Sequence, residues 1–451
     1  MHIDKELILL IEEKKWAILL ILSTITAVII KGGKELLNGL FFSLITLIVL
    51  YYNYKKQRNS LSTILMVGFI LRFFTASSTE LFLFFPEKYY SDAFRFQKMS
   101  TEIALAWSSF KFSNVVGSFG HLSYSRFIAI FYIIFGSSNF LCKIINSIIG
   151  TAAFIPVWKI SEKFVGDKRA EIVTCLFAVW PSIIYFSSQN ARESIILFNF
   201  VWSSYFMLDF LKSPKARTFF YGFIFSIVTG LFRPEMMFIL FFGWMIIAIF
   251  LIFKKSIFSL LLVLPAILLL ILSWFLSPNI PFFKTTTVKQ EAHLQQDRST
   301  QLLQSLSAYR KNVNKTQEIY PETALFEDVE FRCWFDVVKF IPRGIFYFLF
   351  MPLPGLCPIY GNISRILAAL ENLALLIITV FSLKNLIISK KNVVTWFNIL
   401  FLLIIFSIHA LTEPDLGSSI RHKVIYLPLI FSLYQPQSLF IFRRIAHKIG
   451  T

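Results

Sequence analysis

Apolar segments of membrane-spanning length recur along the whole chain and limit what it can fold into. A stretch of about 17–25 apolar residues crosses a bilayer as a helix. Within lipid every backbone N–H and C=O group must be satisfied by the protein itself, which leaves helices and closed barrels. Helix-length apolar segments therefore predict an all-α, polytopic membrane protein. The mean hydropathy of +0.67 agrees, because a soluble core could not hide so much apolar surface.

Hydropathy and charge together predict about twelve transmembrane helices. Short loops rich in Lys and Arg belong on the cytoplasmic side. These loops place both termini in the cytoplasm and the long stretches 80–137 and 278–362 outside. The predicted spans lie near 16–31, 36–52, 61–79, 138–159, 170–187, 194–211, 217–233, 236–253, 256–277, 363–383, 394–411 and 424–440.

The formal net charge of +18 fits this topology. In a soluble chain such a charge would suggest nucleic acid as a partner, but here the basic residues cluster between apolar segments. The charge therefore indicates orientation and contact with anionic lipid, and no nucleic-acid partner is expected. We expect a multi-pass integral membrane protein.

Four parts of the chain are distinguished by their composition. A transmembrane hairpin (1–60) precedes a transmembrane core (61–277) with the exterior loop 80–137; an exterior loop or cap follows (278–362), and then the C-terminal helices and a basic cytoplasmic tail (363–451). In the first exterior loop, the aromatic-rich runs Ile103–Phe112 and Phe127–Phe135 are too short to span, which favours helices lying in the interface.

The second exterior stretch ends in an apolar run, Ile345–Met351, between Pro342 and Pro352. A re-entrant or interfacial element fits this run. Cys333 and Cys357 share the same exterior stretch and could pair. Neither the four cysteines nor His121 and His422 have the spacing of a metal site.

Charged residues near the exterior ends of the predicted helices form the candidate site. Arginine suits a phosphate group because its planar fork donates in parallel and stays charged. A carboxylate beside an acceptor hydroxyl can take its proton during attack. The candidates are Asp92 and Arg95, the pair Arg192 and Glu193, the pair Arg233 and Glu235, and then Arg343, Arg421 and Lys423.

Short motifs in a characteristic order carry a resemblance to a known family. They are Leu71-Arg72, Ser91-Asp92-Ala93-Phe94, Phe135-Gly136-Ser137-Ser138, Ile145 to Gly150, Phe164 to Ala170, Pro181-Ser182, Arg192-Glu193, Leu231 to Glu235, Phe348 to Pro354 and Arg421-His422-Lys423. With these the chain resembles the GT-C superfamily of membrane glycosyltransferases, especially the bacterial relatives of protein mannosyltransferases and aminoarabinose transferases.

The resemblance implies a GT-C-like fold and a place in the bacterial inner (plasma) membrane, with membrane lipid around it. It also implies the transfer of a sugar from a polyprenyl-phosphate donor to an exterior glycan, lipid or protein acceptor. It further implies that Asp92 is the general base and Glu193 a second essential acid. Arg192, Arg233 and Arg421 would contact phosphate or sugar. Members of the superfamily often use a divalent metal ion, so one stays open as a cofactor here.

Simpler interpretations of the same residues stay open. Asp92 could be a solvated loop acid, and Glu193 could cap a helix. Arg233-Pro234-Glu235 could be a plain interfacial turn. Arg72, Arg421 and Lys423 could snorkel to lipid phosphates.

Two other functions are alternatives to the sugar transferase. A surface-polysaccharide polymerase or ligase would use polyprenyl-diphosphate-linked chains. A lipid or oligosaccharide transporter would show paired halves and polar residues near the bilayer midplane. The mixed charge of 284–339 favours the monophosphate donor, and the sequence shows no paired halves.

Overall fold

Helices account for all regular secondary structure in the part of the chain that the structure describes. The structure is a computed structural model covering residues 34–57, 59–81, 91–111, 119–253, 303–311, 326, 329–356, 363–388, 393–413 and 415–433. Its helices confirm the predicted all-α class. They are α1 (Lys34–Gln57), α2 (Ser60–Leu81), α3 (Ser91–Ser108), α4 (Phe119–Phe135), α5 (Asn139–Ala152), α6 (Phe154–Val165), α7 (Asp167–Val179), α8 (Pro181–Ser187), α9 (Glu193–Lys212), α10 (Ala216–Phe232), α11 (Pro234–Phe253), a helical segment at 303–311, α12 (Trp334–Phe350), α13 (Ile363–Ile388), α14 (Val393–Thr412), α15 (Leu416–Lys423) and α16 (Leu427–Leu433).

Seven segments among the described residues are long and apolar enough to cross a membrane, and α7 with α8 forms an eighth if this bent pair counts as one span. The seven are Leu37–Gln57, Ser60–Leu81, Asn139–Lys163, Glu193–Lys212, Pro234–Ile252, Ile363–Leu383 and Val393–Thr412. Helix α10 is apolar but shorter, with 17 residues. The predicted spans 16–31 and 256–277, and the end of 424–440, lie outside the described residues, so the count of twelve stays a prediction.

The chain forms two compact units. The first comprises Met1–Ala152 and Ile183–Ile195, and the second comprises Ala153–Ser182 and Ile196–Thr451. In the first unit α1 and α2 pack on each other and on α5, while α3 packs on α4. Phe69 and Phe73 of α2 meet Phe140 of α5 in its core. The opposite face of α1 is apolar and exposed at Phe41, Leu44 and Ile48, and such a stripe suits contact with lipid tails.

In the second unit α12 packs on α14, and α6 packs on α7. Helix α11 packs on α14, and α6 and α7 both pack on α16. The segment 303–311 joins this unit through Leu303 and Leu306, which pack with Phe340 of α12. Arg310 is buried and donates to the carbonyls of Ala410 and Leu411 at 3.2 and 3.0 Å. These bonds satisfy carbonyl groups in the last turn of α14, where a helix lacks its own donors.

Proline marks two helix boundaries, and one of them falls inside the predicted span 170–187. A residue before proline is pushed towards extended backbone. Trp180 accordingly has φ −67° and ψ 122°, and the chain bends by 61° between α7 and α8. Pro234 begins α11, where its missing N–H costs nothing, and Glu235 follows in the first turn beside the positive end of the helix dipole.

The apolar run Ile345–Met351 is not a separate re-entrant element. It forms the second half of α12, which passes through Pro342 and ends before Met351 and Pro352. Proline removes one helical hydrogen bond, and packing against α13 and α14 holds the helix together around it. Cys333 precedes the helix as its N-cap and is a free thiol, while Cys357 lies outside the described residues.

Candidate functional site

In the first unit a hydrogen bond joins the start of α3 to the loop before α9. Asp92 lies in the first turn of α3 and is half-buried, while Arg95 is exposed. The amide Nδ2 of Asn190 donates to the carbonyl of Ala93, the neighbour of Asp92, at 3.3 Å. Asn190 stands two residues before Arg192 and three before Glu193. The motif Ser91-Asp92-Ala93-Phe94 is therefore joined by a direct hydrogen bond to the loop that precedes Arg192-Glu193.

A buried amide holds this loop in place. Nδ2 of Asn146 in α5 lies 2.6 Å from the carbonyl of Gln189, 3.0 Å from that of Ala191 and 2.8 Å from the hydroxyl of Tyr124. Tyr124 in turn donates to Oδ1 of Asn190 at 3.0 Å. Buried polar groups of this kind specify one arrangement when they are satisfied. Asn146 belongs to one of the matching motifs, but its role in shaping the loop was not predicted.

Glu193 opens α9 and is buried, with 2% of its surface exposed, and Arg192 beside it is half-buried. A carboxylate in the first turn of a helix interacts favourably with the helix dipole. The structure is therefore consistent with the capping interpretation of Glu193. The same position brings its side chain into the polar interior of the first unit, so a role in a site is equally compatible.

The first unit also buries charges outside the predicted site. Nζ of Lys143 lies 2.9 Å from the carboxylate of Glu80 and 3.2 Å from the hydroxyl of Thr79. Nε of Arg72 donates to Ser187 at 2.7 Å, and its guanidinium also donates to the carbonyl of Gly68. Arg72 is fully buried. The expectation that Arg72 snorkels to lipid is therefore wrong.

The second unit contains a linear array of charged and imidazole groups. Arg233 is buried at the end of α10 and donates through Nε to Glu235 at 3.0 Å, while Glu235 stays exposed. Nη2 of Arg233 contacts Nε2 of His422, and Nδ1 of His422 contacts Oε1 of Glu413. An arginine can only donate, so Nε2 of His422 must accept and Nδ1 must carry the proton that it donates to Glu413.

Electrostatics support this protonation state. Burial and then the positive charge of Arg233 lower the pKa of His422 to about 4, against the opposing effect of Glu413. Burial would raise the pKa of Glu413, but the two neighbouring histidines, His422 first, hold it well below its usual range. At neutral pH His422 is therefore a neutral imidazole between a guanidinium and a carboxylate.

A second histidine completes this cluster. Nδ1 of His409 lies 3.4 Å from Oε1 of Glu413, and its Nε2 lies 2.6 Å from the hydroxyl of Tyr426. The imidazole stacks on Phe348 at 4.8 Å, and Tyr426 donates to Sδ of Met236 at 3.0 Å. The donor atoms of His409, Glu413 and His422 all lie within 4.8 Å of one another.

His422 thus has partners that its own spacing did not reveal. The sequence analysis did not predict His409 and Glu413 as site residues: His409 lies inside the predicted span 394–411, and Glu413 lies just beyond its end. The four-residue spacing of His409 and Glu413, which places two side chains on one helix face, was the available signal.

The remaining candidates differ in their surroundings. Lys423 is buried and donates to Asn372 and, at 3.2 Å, to the carbonyl of Leu349, so the snorkelling interpretation is wrong for this residue. Burial lowers the pKa of Lys423 to about 8, opposed by Glu371. Arg421 is half-buried on the same helix. Arg343 is exposed and lies over the rings of Phe326 and Tyr347, 4.4 and 5.8 Å from their centres.

Taken together, these helices define the class: a multi-pass, all-helical membrane protein with polar clusters inside its helical units. No protein-family model matches the chain, and no curated protein matches it.

Proposed function

We propose that the chain is an integral-membrane glycosyltransferase that moves a sugar from a polyprenyl-phosphate donor to an exterior glycan, lipid or protein acceptor. The observation that carries this proposal is the hydrogen bond from Asn190 to the carbonyl of Ala93. It joins the turn that bears Asp92 to the loop that bears Arg192 and Glu193. Two acids and an arginine thus belong to two segments of the first unit that a hydrogen bond joins, and the reaction needs groups of these types in one site.

The reaction assigns one task to each of these groups. The acceptor hydroxyl attacks the anomeric carbon while the bond from that carbon to the phosphate oxygen breaks. The hydroxyl proton passes to the carboxylate of Asp92, and the polyprenyl phosphate leaves as an anion. Asp92 suits the role of base because it is half-buried at the start of α3 and so stays accessible. Arg192 would balance the phosphate charge, and Glu193 would orient the sugar or Arg192.

A transporter is less well supported by the buried polar groups of α9 to α11. Ser203 and Ser226 share a hydrogen bond of 2.7 Å, and Trp244 donates to Ser226 at 3.2 Å. Hydroxyl contacts of this kind join neighbouring membrane helices. These contacts between helices account for the burial of the three side chains, so no substrate pathway is needed to explain it.

The donor is tested first by the lipid that the protein retains. The full chain is purified in mild detergent, and co-purifying lipids are identified by mass spectrometry. We expect a polyprenyl monophosphate or its sugar ester. A diphosphate-linked chain would instead indicate the polymerase or ligase alternative, and the absence of any polyprenyl lipid would contradict both.

The base is tested in nanodiscs supplied with undecaprenyl-phosphate hexose, with release of undecaprenyl phosphate as the readout. Asp92→Asn should lower turnover by about 100- to 10,000-fold, the usual contribution of a general base. Glu102→Gln is the matched control, because Glu102 is an exposed carboxylate on the same helix. Normal turnover by a folded Asp92→Asn variant would overturn the assignment.

A further inference from the structure

The cluster of His409, Glu413 and His422 has the chemistry of a metal site. Two imidazoles and one carboxylate form the protein ligand set found in catalytic zinc centres, where a fourth position stays open. Imidazole-rich sets favour zinc and its first-row neighbours over the hard cations Mg²⁺ and Ca²⁺, which prefer oxygen ligands. All three side chains belong to the second unit.

Local structure brings the three ligands together. His409 and Glu413 are four residues apart at the end of α14, and the amide of Glu413 donates to the carbonyl of His409 at 2.9 Å, which continues the helical turn. Asp415 then caps α15 by accepting from the amide of Ser418 at 2.8 Å. His422, near the end of α15, contacts Glu413, which directly follows α14.

The distances are close to those that a tetrahedral ion requires. Ligands at about 2.0–2.2 Å from zinc are separated from one another by about 3.4 Å. His409 and Glu413 already stand at 3.4 Å, and the donor atoms of all three side chains lie within 4.8 Å of one another. A bound ion would replace the hydrogen bond that now joins Nδ1 of His422 to Glu413, so these two groups would move apart to admit it.

The surroundings of His409 match those of a metal ligand. A ligating histidine donates its second ring N–H to a fixed acceptor, which orients the imidazole. Nε2 of His409 faces the hydroxyl oxygen of Tyr426, and the proton of this hydroxyl is directed to Met236. Phe348 holds the ring from its face.

Arg233 makes the site conditional. Arg233 donates a hydrogen bond to Nε2 of His422, so Nε2 must be unprotonated. The ring proton is then on Nδ1, the atom that faces Glu413. A metal bound at Nδ1 would place the proton on Nε2 and remove the acceptor of Arg233. The contact of Arg233 with His422 and the binding of an ion are therefore mutually exclusive.

We propose that His409, Glu413 and His422 form a binding site for one Zn²⁺-class divalent ion, and that Arg233 competes with this ion for His422. The site is independent of the sugar-transfer proposal, because ion binding is measured without any substrate. Neither result can therefore decide the other.

The test uses the full chain, purified without a polyhistidine tag, stripped with a chelator and titrated with Zn²⁺ by calorimetry. We expect one ion per chain, and visible d–d absorption when Co²⁺ is used as a spectroscopic probe. Glu413→Gln and His409→Gln should weaken binding by more than about 100-fold, beyond the loss of a supporting partner. His121→Gln is the control, since His121 lies in the first unit.

A variant of Arg233 tests the proposal through tighter Zn²⁺ binding, because it leaves all three metal ligands in place. Arg233→Met should tighten Zn²⁺ binding by about tenfold or more, the equivalent of one charge-assisted hydrogen bond. Arg343→Met removes an exposed charge from the same unit and should leave binding unchanged. Absence of stoichiometric Zn²⁺ in both the wild type and Arg233→Met would overturn the proposal, as would unchanged affinity in folded Glu413→Gln and His409→Gln variants.

Discussion

The ammonium group of Lys143 lies 2.9 Å from the carboxylate of Glu80, with 2% and 17% of the two side chains exposed. Glu80 also accepts from Asn139 at 2.9 Å. The pair therefore joins α2 to α5 through charges that are largely removed from solvent. Breaking a buried pair on one side is costly because the other charge stays buried.

Lys143→Met should destabilise the protein by about 3 kcal/mol for this reason. The free energy of unfolding is measured by denaturant titration in detergent. Lys98→Met, at an exposed position of α3, should change it by less than about 0.5 kcal/mol. The double variant Lys143→Met with Glu80→Gln should be less destabilised than the sum of the two single variants; simple additivity would show that the pair contributes nothing.

Asn146→Asp should loosen the loop that carries Arg192 and Glu193. The substitution preserves shape but replaces the donor that faces the carbonyls of Gln189 and Ala191 by a carboxylate oxygen. Unsatisfied buried carbonyls cost about 1–3 kcal/mol each. Hydrogen exchange of peptides over 188–194 should rise, whereas Asn53→Asp, at a half-exposed position of α1, should leave it unchanged. Equal protection in both variants would contradict the role of Asn146.

Gly344→Ala should separate α12 from α14. A Cβ at this position would lie 2.8 Å from Cβ of Ala410 and 3.2 Å from its carbonyl oxygen, which are rigid neighbours. Overpacking of this kind costs about 1–3 kcal/mol. Pro342→Ala, at an exposed position on the same helix, should be neutral or stabilising. Thermal unfolding of both variants measures the difference, and an unchanged Gly344→Ala would argue against close contact of the two helices.

Asp336 should make the start of α12 sensitive to acid. Hydrogen bonds from the amides of Arg332 and Cys333 hold the pKa of Asp336 below its ordinary value of 3.8. A depressed pKa in the folded state contributes stability that is present above the ordinary value and is lost as the pH falls through the folded one. Protection of the first turn against hydrogen exchange should therefore differ between wild type and Asp336→Asn at pH 7. The difference should shrink towards pH 3; a constant difference would exclude the carboxylate as its cause.

Several elements follow from local sequence alone. Apolar stretches such as Ser60–Leu81 and Val393–Thr412 form helices because lipid leaves the backbone no partner but itself. The bend at Trp180 and the start of α11 follow from the steric rules of Pro181 and Pro234. Pro342 shows the limit of such rules, because packing carries α12 through it.

The fate of the charged residues was decided by tertiary structure. Arg72 and Lys423 were expected at the lipid interface, but both are buried inside the protein. Arg72 donates a hydrogen bond to Ser187, 115 residues away, and Lys423 donates one to Asn372, 51 residues away. The cluster of His409, Glu413 and His422 likewise joins side chains from the end of α14 to one from α15. Hydropathy and periodicity state which segments become helices and which residues share a face. They do not contain the rotation of one helix against another, and this rotation determines which distant polar groups meet.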